Sequence, residues 1–248
     1  MSLSDTAMAG QHTTVPLVRA AVPADHPAIR EVVIAAYRQH ADLIPPDVFS
    51  PYLADVLDLD THARRGRLFV VEAGERVCAF AAFYPDASGD GFGFPAGWVS
   101  GRALAVHPDA RGNGAARALL ATGEYLALQA GAPVFAFHTH SYMTDAMALY
   151  ERLGYRRAPQ YDFDVAARFG RPGAATIMAH AYLRYVTQNY VTPGGEDPMT
   201  TRSRSAGTPA YYLGRPAALW LAAVRRPPAD GRPPRASCAE QAREQLTK

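Results

Sequence analysis

The chain has 248 residues and a mass of 26.7 kDa, a length that predicts one domain with extensions. Hydrophobic residues make up 48% of it and charged residues 19%, a composition that excludes wholesale disorder. The net charge of +2 gives no indication of binding to nucleic acid or to an anionic membrane, and no nucleic-acid partner is expected.

The first residues predict a loose segment followed by a strand. Residues 1–14 are small and polar and show no apolar period, so we interpret them as a flexible leader. A β-branched run at residues 15–20 predicts the first strand. Order is therefore expected to begin near Val15.

Two helices are predicted next. Asp25 is a plausible N-cap for the first, because apolar residues follow it at helical spacing. Pro45 and Pro46 break that pattern, and a second helix is expected from about Val48 to a point before Arg64.

A hairpin and a third strand follow. Residues 68–72 and 77–84 predict two antiparallel strands, since the four residues between them include a glycine suited to a tight turn. Residues 85–95 are rich in Gly and Asp and predict a loop. A strand over 98–106 is expected to stop at Pro108.

The centre of the chain predicts a strand–helix–strand unit. A long helix is expected over residues 114–130, ending at Gly131. The apolar run at 134–139 predicts a strand covered on both faces, and the crossover implies parallel pairing with the strand before the helix. A further helix is expected over 144–153.

The last elements close a mixed α/β domain that we place at residues 15–191. Two strands are predicted, at 155–165 and 176–185, and the loop between them contains Arg168 and Arg171. The alternation of short strands and longer helices across this range is typical of an α/β (α+β) fold.

The composition changes in residues 192–248, which are rich in Pro, Gly, Ser and Arg. This tail is interpreted as disordered apart from an apolar stretch at 211–224, which is expected to dock on the domain or on a partner.

The only cysteines, Cys78 and Cys238, provide neither a disulfide framework nor metal-ligand spacing. Without a run of about 20 apolar residues or a signal-type start, the chain is expected to be cytoplasmic, with no membrane span.

The most informative segment is the glycine turn, residues 111–117, which joins a predicted strand to a predicted helix through small residues. Backbone N–H groups at such a junction have no intrahelical partner and favour an anion such as a pyrophosphate. A Walker motif is excluded because the only lysine is Lys248, and a dinucleotide fingerprint is excluded because Arg117 stands where a third small residue belongs.

The turn resembles the acetyl-CoA-binding motif of the GNAT N-acetyltransferase family. That motif has Gln or Arg, two residues, Gly, one residue, and Gly or Ala, which matches Arg111, Gly114 and Ala116; the preceding Leu-x-Val-x-Pro also matches. A second block, residues 146–155, is similar to the family's late Leu-Tyr-x-x-x-Gly-Tyr block. The resemblance covers about residues 15–185 and implies a mixed, mostly antiparallel central sheet with helices on both faces.

The resemblance also implies how the donor would be held. In this family the strands before and after the motif helix splay apart and grip acetyl-CoA, which is a co-substrate; here those strands are residues 104–106 and 134–139. The cofactor-binding residues expected on this basis are Leu104, Ala105, Val106, Arg111, Gly112, Asn113, Gly114, Ala115 and Ala116. A backbone N–H near Leu104 is expected to stabilise the oxyanion.

Tyr150 is the expected catalytic acid. Its place in the late block matches the tyrosine that donates a proton to the CoA sulfur in this family. A phenol with an ordinary pKa of about 10 is protonated at neutral pH and so can act as an acid without special tuning. The competing interpretation is core packing, because Met143, Met147 and Tyr150 share helical spacing.

The base is less clearly indicated. His138 and His140 lie on the same side of one predicted strand, and either is a candidate base because histidine titrates near neutrality. The alternatives are a structural histidine and, with lower weight, a His-x-His metal pair. Tyr161 and Asp162 are weaker candidates for orienting the amine.

The remaining signals concern the acceptor. Arg102 either anchors a substrate carboxylate or pairs with an acid, and Met143 stands where many family members carry Asn. The resemblance places substrate choice in residues 37–52 and 164–173, whose side chains single out no amine class.

We predict acetyl transfer, or transfer of another short acyl group, to a primary amine of a small molecule, with no metal. The alternatives are a protein or peptide N-acetyltransferase, which would need an open groove, and a non-catalytic CoA-binding regulatory module. A homodimer is a possible assembly.

Overall fold

The computed structural model of the chain describes residues 16–171 and 177–186. The predicted leader, the tail from residue 192 and its apolar stretch lie outside the described residues, as does Val15. The division into leader, domain and tail stays a prediction.

The first seven elements follow the predicted order, except that two helices stand where one was predicted. They are β1 (Leu17–Ala20), α1 (His26–Arg38), α2 (Pro46–Val56), α3 (Leu59–Arg65), β2 (Arg67–Ala73), β3 (Arg76–Tyr84) and β4 (Val99–Val106). The single second helix predicted to end before Arg64 is wrong: the chain breaks after Leu57, and Asp58 starts α3 by accepting the Thr61 N–H at 3.0 Å.

Two smaller details in this half differ from the expectation. Asp25 is the N-cap residue of α1, as predicted, but its side chain makes no capping hydrogen bond to that helix; its carboxylate accepts the Val22 N–H at 2.8 Å and pairs with Arg19. The expected loop over 85–95 contains a short 3-10 turn, Ala87–Asp90.

The second half contains the remaining elements. They are α4 (Ala115–Gln129), β5 (Val134–His140), α5 (Thr144–Arg152), β6 (Arg156–Arg157), β7 (Phe163–Asp164), α6 (Val165–Arg168) and β8 (Met178–Tyr185). The continuous strand predicted over 155–165 is wrong. A 3-10 turn, Pro159–Tyr161, separates β6 from β7, because a proline at its start has no N–H to donate to a strand ladder.

All eight strands of the described part belong to one sheet, in the order β1-β2-β3-β4-β5-β8-β6, and β7 also pairs with β8. The pair β4–β5 is parallel and every other pair is antiparallel. The predicted hairpin, the predicted parallel crossover and the mostly antiparallel sheet are confirmed.

Helices cover both faces of this sheet because successive strand side chains point to opposite sides. In β3, Ala79, Ala81 and Phe83 pack in one core with α4 and the Tyr150 side chain of α5. The intervening Phe80 and Ala82 pack in a second core with α1, α2 and α3. We call these two sides the α4 face and the α1 face.

Candidate functional site

The site lies where the two parallel strands at the centre of the sheet part. β4 and β5 pair only from Val99 with Phe135 to Gly101 with Phe137, although β4 continues to Val106 and β5 to His140. Beyond Gly101, the β5-side edge of β4 therefore has no strand partner within the described residues. We call the space between the two strands beyond this point the gap.

A bulge reshapes β4 at the start of the gap. Phe80 is opposite Ala105 and Ala82 is opposite Arg102, so two residues of β4, Ala103 and Leu104, face one residue of β3. Ala103 has a φ of 55°, in the left-handed region that costs a non-glycine residue about 1 kcal/mol. The bulge turns the peptide groups around Leu104 relative to a regular ladder.

A cavity of about 90 Å³ lies at the gap. Its wall includes residues 101–104 of β4. All three sequence-predicted catalytic residues, Tyr150, His138 and His140, also line it. Five further aromatic side chains line the cavity, and we call them the aromatic wall: Tyr37, Tyr52, Phe92, Phe163 and Phe169. Tyr37, Tyr52 and Phe169 lie in the two ranges predicted to govern substrate choice, whereas Phe92 and Phe163 were missed by sequence reasoning.

Tyr150 reaches the cavity from the α4 face. It is only 6% exposed, and its ring packs edge-on against Phe137 and tilted against Tyr182. Burial raises the pKa of its phenol above the ordinary value, which a hydrogen bond with the Thr139 side chain partly offsets. The phenol is therefore both a packed core group, as the competing interpretation holds, and a protonated group at the cavity surface.

His138 and His140 approach from the α1 face, because they alternate with Phe137 and Thr139 along β5. His138 donates its Nε2–H to the Tyr161 carbonyl at 2.9 Å, which leaves Nδ1 as the acceptor, and its ring stacks on Phe94 with centroids 4.4 Å apart. Burial lowers the pKa of His138 to about 4.

His140 is buried more deeply. Its Nδ1 lies 3.4 Å from the Tyr52 hydroxyl, and its ring stacks on Tyr142. Burial lowers its pKa to about 3. Both imidazoles are thus neutral at neutral pH, and each is a much weaker base than an exposed histidine.

The candidate acid and the candidate bases therefore enter the cavity from opposite faces of the sheet. Such an arrangement is possible only because the gap interrupts the sheet at this point. A thioester lying in the gap would have Tyr150 on one side and the acceptor on the other.

Arg102 adds a charge to the α1-face side of the cavity. Its guanidinium lies 2.5 Å from the Asp55 carboxylate and 3.9 Å above the ring of Phe92. The expectation that it pairs with an acid is confirmed, and it also lines the cavity. Asp55, which sequence reasoning missed, is half-exposed at 36% and lies on α2.

The glycine turn has the conformation that an anion site needs. Gly112 and Gly114 have φ of +79° and +88°, and a Cβ at either position would meet no atom within 4 Å, so the space in front of the turn is open. The helix α4 begins immediately after it, at Ala115.

Two of the predicted amide donors are already engaged. The Arg111 N–H donates to Pro108 at 3.2 Å, and the Ala115 N–H donates to the Asn113 side chain at 3.1 Å. Within the described residues, the N–H groups of Gly112, Asn113, Gly114 and Ala116 donate to no acceptor. The Arg111 side chain donates to Gln39 at the end of α1, 2.9 Å away.

The three predicted residues of β4 have different positions. Leu104 lines the cavity and packs on the α4 face, and Val106 packs against the same core. Ala105 is 2% exposed and belongs to the α1-face core. Any contact between Ala105 and acetyl-CoA would therefore involve the Ala105 backbone.

The weaker candidates are committed elsewhere. Asp162 forms a two-pronged ion pair with Arg157 and accepts the Ala181 N–H, contacts that outweigh burial and lower its pKa to about 2. Tyr161 packs against Phe94 and Trp98. Met143, in contrast, lines the cavity, and its sulfur accepts from the Thr139 hydroxyl at 3.5 Å.

The two regions expected to govern substrate choice meet over the cavity. Asp47 of α2 forms an ion pair with Arg171, and Val48 packs with Val165 and Ala166 in a small core. Phe169 lies 5.9 Å from Tyr52, ring to ring. The segment after β7 thus bridges to α2.

The described residues contain neither a metal-ligand cluster nor a helix suited to span a membrane. No group of three or more His, Cys, Asp or Glu side chains there is arranged to hold a metal ion. Among the same residues, no helix has the length and apolar character needed to cross a bilayer. Turnover without a metal stays a prediction.

Comparison with known proteins agrees with this architecture. The family model for the acetyltransferase (GNAT) family matches residues 34–155, which include β4, the glycine turn and Tyr150. No curated protein sequence matches the chain.

Solved structures share the fold at low sequence identity. A GNAT-family protein described as a possible acetyltransferase, from Desulfovibrio desulfuricans, has a TM-score of 0.51 and 19% identity, covering 69% of this chain and 99% of its own. The paia N-acetyltransferase of Thermoplasma acidophilum, solved with coenzyme A, has a TM-score of 0.51 and 10% identity, covering 68% and 98%.

A third, a GNAT acetyltransferase of Staphylococcus aureus, has a TM-score of 0.50 and 10% identity, covering 69% and 99% of the two chains. At these identities the likeness concerns the fold alone. The family match over residues 34–155 identifies the chain as a member of the GNAT family of acetyltransferases.

Proposed function

We propose that the protein transfers an acetyl group from acetyl-CoA to a primary amine of a small molecule by direct attack on the thioester. The observation that carries this proposal is the cavity at the gap, in which Tyr150 and the bulged backbone of β4 share one space with the α1-face side chains. Direct attack needs a donor, an acceptor and a proton donor in a single space.

The glycine turn is the proposed binding site for the pyrophosphate of acetyl-CoA. The open N–H groups of Gly112, Asn113, Gly114 and Ala116 lie at the N-terminus of α4, where the helix dipole favours an anion. The pantetheine arm would then run along the unpaired edge of β4 toward the cavity. That edge offers backbone donors and acceptors without a strand partner.

The chemistry follows from the groups in the cavity. The amine nitrogen forms a bond to the thioester carbonyl carbon, and its oxygen becomes an oxyanion that a peptide N–H near Leu104 stabilises. The oxyanion then re-forms the carbonyl as the C–S bond breaks, and the CoA thiolate takes the phenolic proton of Tyr150. The phenolate regains a proton from solvent, which balances the proton that the amine nitrogen releases to solvent. Because burial keeps that phenol protonated, it is available as an acid at neutral pH.

We assign His138 and His140 a role as neutral hydrogen-bond acceptors for the amine, with bulk water as the final proton acceptor. The low pKa that burial gives each imidazole argues against either one holding the proton as a stable cation. Nδ1 of His138 is the better placed atom, because Nε2 is already donating to Tyr161.

A small acceptor is favoured over a protein N-terminus. A polypeptide would need an open groove beside α1 and α2, whereas the ion pair of Asp47 with Arg171 and the packing of Val48 on Val165 bridge this side.

The test is a screen of primary amines with acetyl-CoA at neutral pH. Thiol release and the mass of the acetylated product are measured together. We expect amine-dependent release with at least one small amine and none with peptide N-termini. If acetyl-CoA raises the thermal midpoint but no amine increases thiol release, the alternative of a non-catalytic CoA-binding module replaces this proposal.

A further inference from the structure

We infer that the acceptor is an aromatic amine whose nitrogen is uncharged at neutral pH, rather than an alkylammonium or a polyamine. This inference rests on the proposed function and names the substrate class of the same site. It follows from the aromatic rings and the single guanidinium that line the α1-face side of the cavity, and from the absence of a carboxylate and of a strong base among its described lining residues.

The first observation is the composition of the wall. Rings from four separate segments face the acceptor side: Tyr52 of α2, Phe92 of the loop before β4, Phe163 of β7, and Phe169 after α6. Phe92 and Phe163 lie 5.2 Å apart, and His138 packs edge-on against Phe163 at 4.9 Å. Surfaces of this kind favour a flat ring, which can stack or pack edge-on.

The second observation is the positive charge of the cavity wall. Arg102 is the one charged residue that lines the cavity within residues 16–171 and 177–186, and no carboxylate lines it there. Its counterion, Asp55, lies behind it on α2 and is half-exposed. An ammonium group entering this space would lie near a guanidinium and would find no carboxylate among the described lining residues to pair with, so its desolvation would cost free energy.

Aromatic rings can also bind cations, but Phe92 already contacts two guanidinium groups. The guanidinium of Arg102 lies 3.9 Å from the centre of Phe92, and that of Arg168 lies 5.1 Å from the same ring. A second cation near Phe92 would be repelled by both. Phe92 therefore does not serve as a binding surface for an alkylammonium group.

The third observation is that no strong base lines the cavity in the part of the chain that the structure describes. His138 and His140 are buried between aromatic rings, and burial lowers the pKa of each imidazole. An alkylammonium would have to lose its proton to one of them before attack. An arylamine needs no such step, because its nitrogen is already neutral and carries a free electron pair.

The experiment compares four probes with acetyl-CoA at pH 7: aniline, benzylamine, cyclohexylamine and spermidine. Aniline and cyclohexylamine carry nitrogen on rings of similar size but differ in charge, and benzylamine is aromatic but charged. We expect kcat/KM to be at least tenfold higher for aniline than for the other three. A preference for benzylamine, cyclohexylamine or spermidine would overturn the inference while leaving amine acetylation intact.

Two variants test separately how the charges of Arg102 and Asp55 affect the choice of amine. Arg102→Gln leaves the Asp55 carboxylate without its cation, so the ratio of kcat/KM for benzylamine to that for aniline should rise about tenfold, equivalent to 1.4 kcal/mol. Asp55→Asn leaves Arg102 uncompensated, so the same ratio should fall. If the ratio does not move in opposite directions, the electrostatic argument is wrong.

Folding is checked separately in each variant. The rise in thermal midpoint with acetyl-CoA reports an intact donor site, since neither residue belongs to the glycine turn. If Arg102→Gln fails this check, Asp55→Asn carries the test alone, and an unchanged ratio in that variant overturns the inference. Absence of thiol release with all amines, despite a normal acetyl-CoA response, would instead count against the proposed function.

Discussion

The glycine turn and the aromatic wall are proposed to bind the two partners of one reaction, yet they are built differently. The turn is a continuous run of seven residues, 111–117, and offers backbone N–H groups held by two left-handed glycines. The wall gathers side chains from α1, α2, the loop before β4, β7 and the segment after α6.

The difference teaches where each kind of specificity resides. Every acetyl-CoA molecule presents the same pyrophosphate, so a fixed backbone turn is sufficient to bind it. An acceptor is recognised by shape and charge, which side chains from separate segments can vary independently. Substitutions in the turn should therefore affect all substrates alike, and substitutions in the wall should affect acceptors selectively.

The largest effect is expected from Gly114→Glu. The new carboxylate would stand in the open space where the pyrophosphate binds, and a residue with φ of +88° would be strained as well. The rise in thermal midpoint with acetyl-CoA should disappear, and kcat/KM should fall by at least about 100-fold for every amine. Differential scanning fluorimetry and thiol release measure the two effects.

The matched control is Gly131→Glu at the other end of α4. Gly131 also has a positive φ, +66°, with no atom within 4 Å of an added Cβ, so the strain is comparable. This control should keep its acetyl-CoA response. If both variants respond normally to acetyl-CoA, the donor site is elsewhere.

Tyr150→Phe should have the next largest effect. Removing the phenolic proton should lower kcat by about 100-fold or more, the usual contribution of a general acid, while the acetyl-CoA response stays intact. Tyr182→Phe is the control, because Tyr182 packs against Tyr150 and loses only a hydrogen bond to Glu151. Equal kcat in the two variants would remove Tyr150 from the mechanism.

Phe169→Ala tests the wall directly. It should raise the acceptor KM about tenfold through lost ring contact, with little change in acetyl-CoA binding. Phe94→Ala is a comparison outside the cavity wall; it removes a more deeply buried ring, 3% exposed, that stacks on His138. If Phe169→Ala weakens acetyl-CoA binding as strongly as acceptor binding, the division into two regions fails.

Acidification should destabilise the α1-face side of the cavity. The folded-state pKa of His140, about 3, is below its unfolded value, so the unfolded state binds more protons as the pH falls below about 6.5. Stability is therefore lost on acidification, by about 2 kcal/mol for this imidazole at pH 5. Denaturant unfolding at pH 7 and pH 5 measures the loss.

His140→Gln should reduce that pH dependence. The comparison of variants is needed because burial raises the pKa of Asp90 and Glu124, which changes stability in the opposite sense. Equal pH dependence in wild type and His140→Gln would show that His140 is not held neutral.

The smallest effect is expected from Arg171→Ala. Its ion pair with Asp47 connects two segments over the cavity, but the side chains are 54% and 44% exposed. Such a pair contributes about 0–1 kcal/mol. Thermal unfolding should therefore change little, and a large loss would mean that this pair holds the wall together.

Much of the fold was predictable from the chain because its signals are local. The hairpin around Gly74, the parallel crossover through α4 and the helix with Tyr150 all follow from periodicity and turn residues. The errors occurred where one residue outweighs the pattern, as Asp58 does in starting α3 and Pro159 in dividing the last strands.

By itself, the sequence determined the family resemblance, the glycine turn and the choice of Tyr150 as the candidate acid, since each depends on residues close together in the chain. Only the tertiary structure decided that β4 and β5 separate after Gly101, that Arg102 pairs with Asp55, and that the histidines are buried among aromatic rings. The physical reason is that pKa, charge pairing and cavity shape depend on neighbours far away in sequence, which periodicity does not encode.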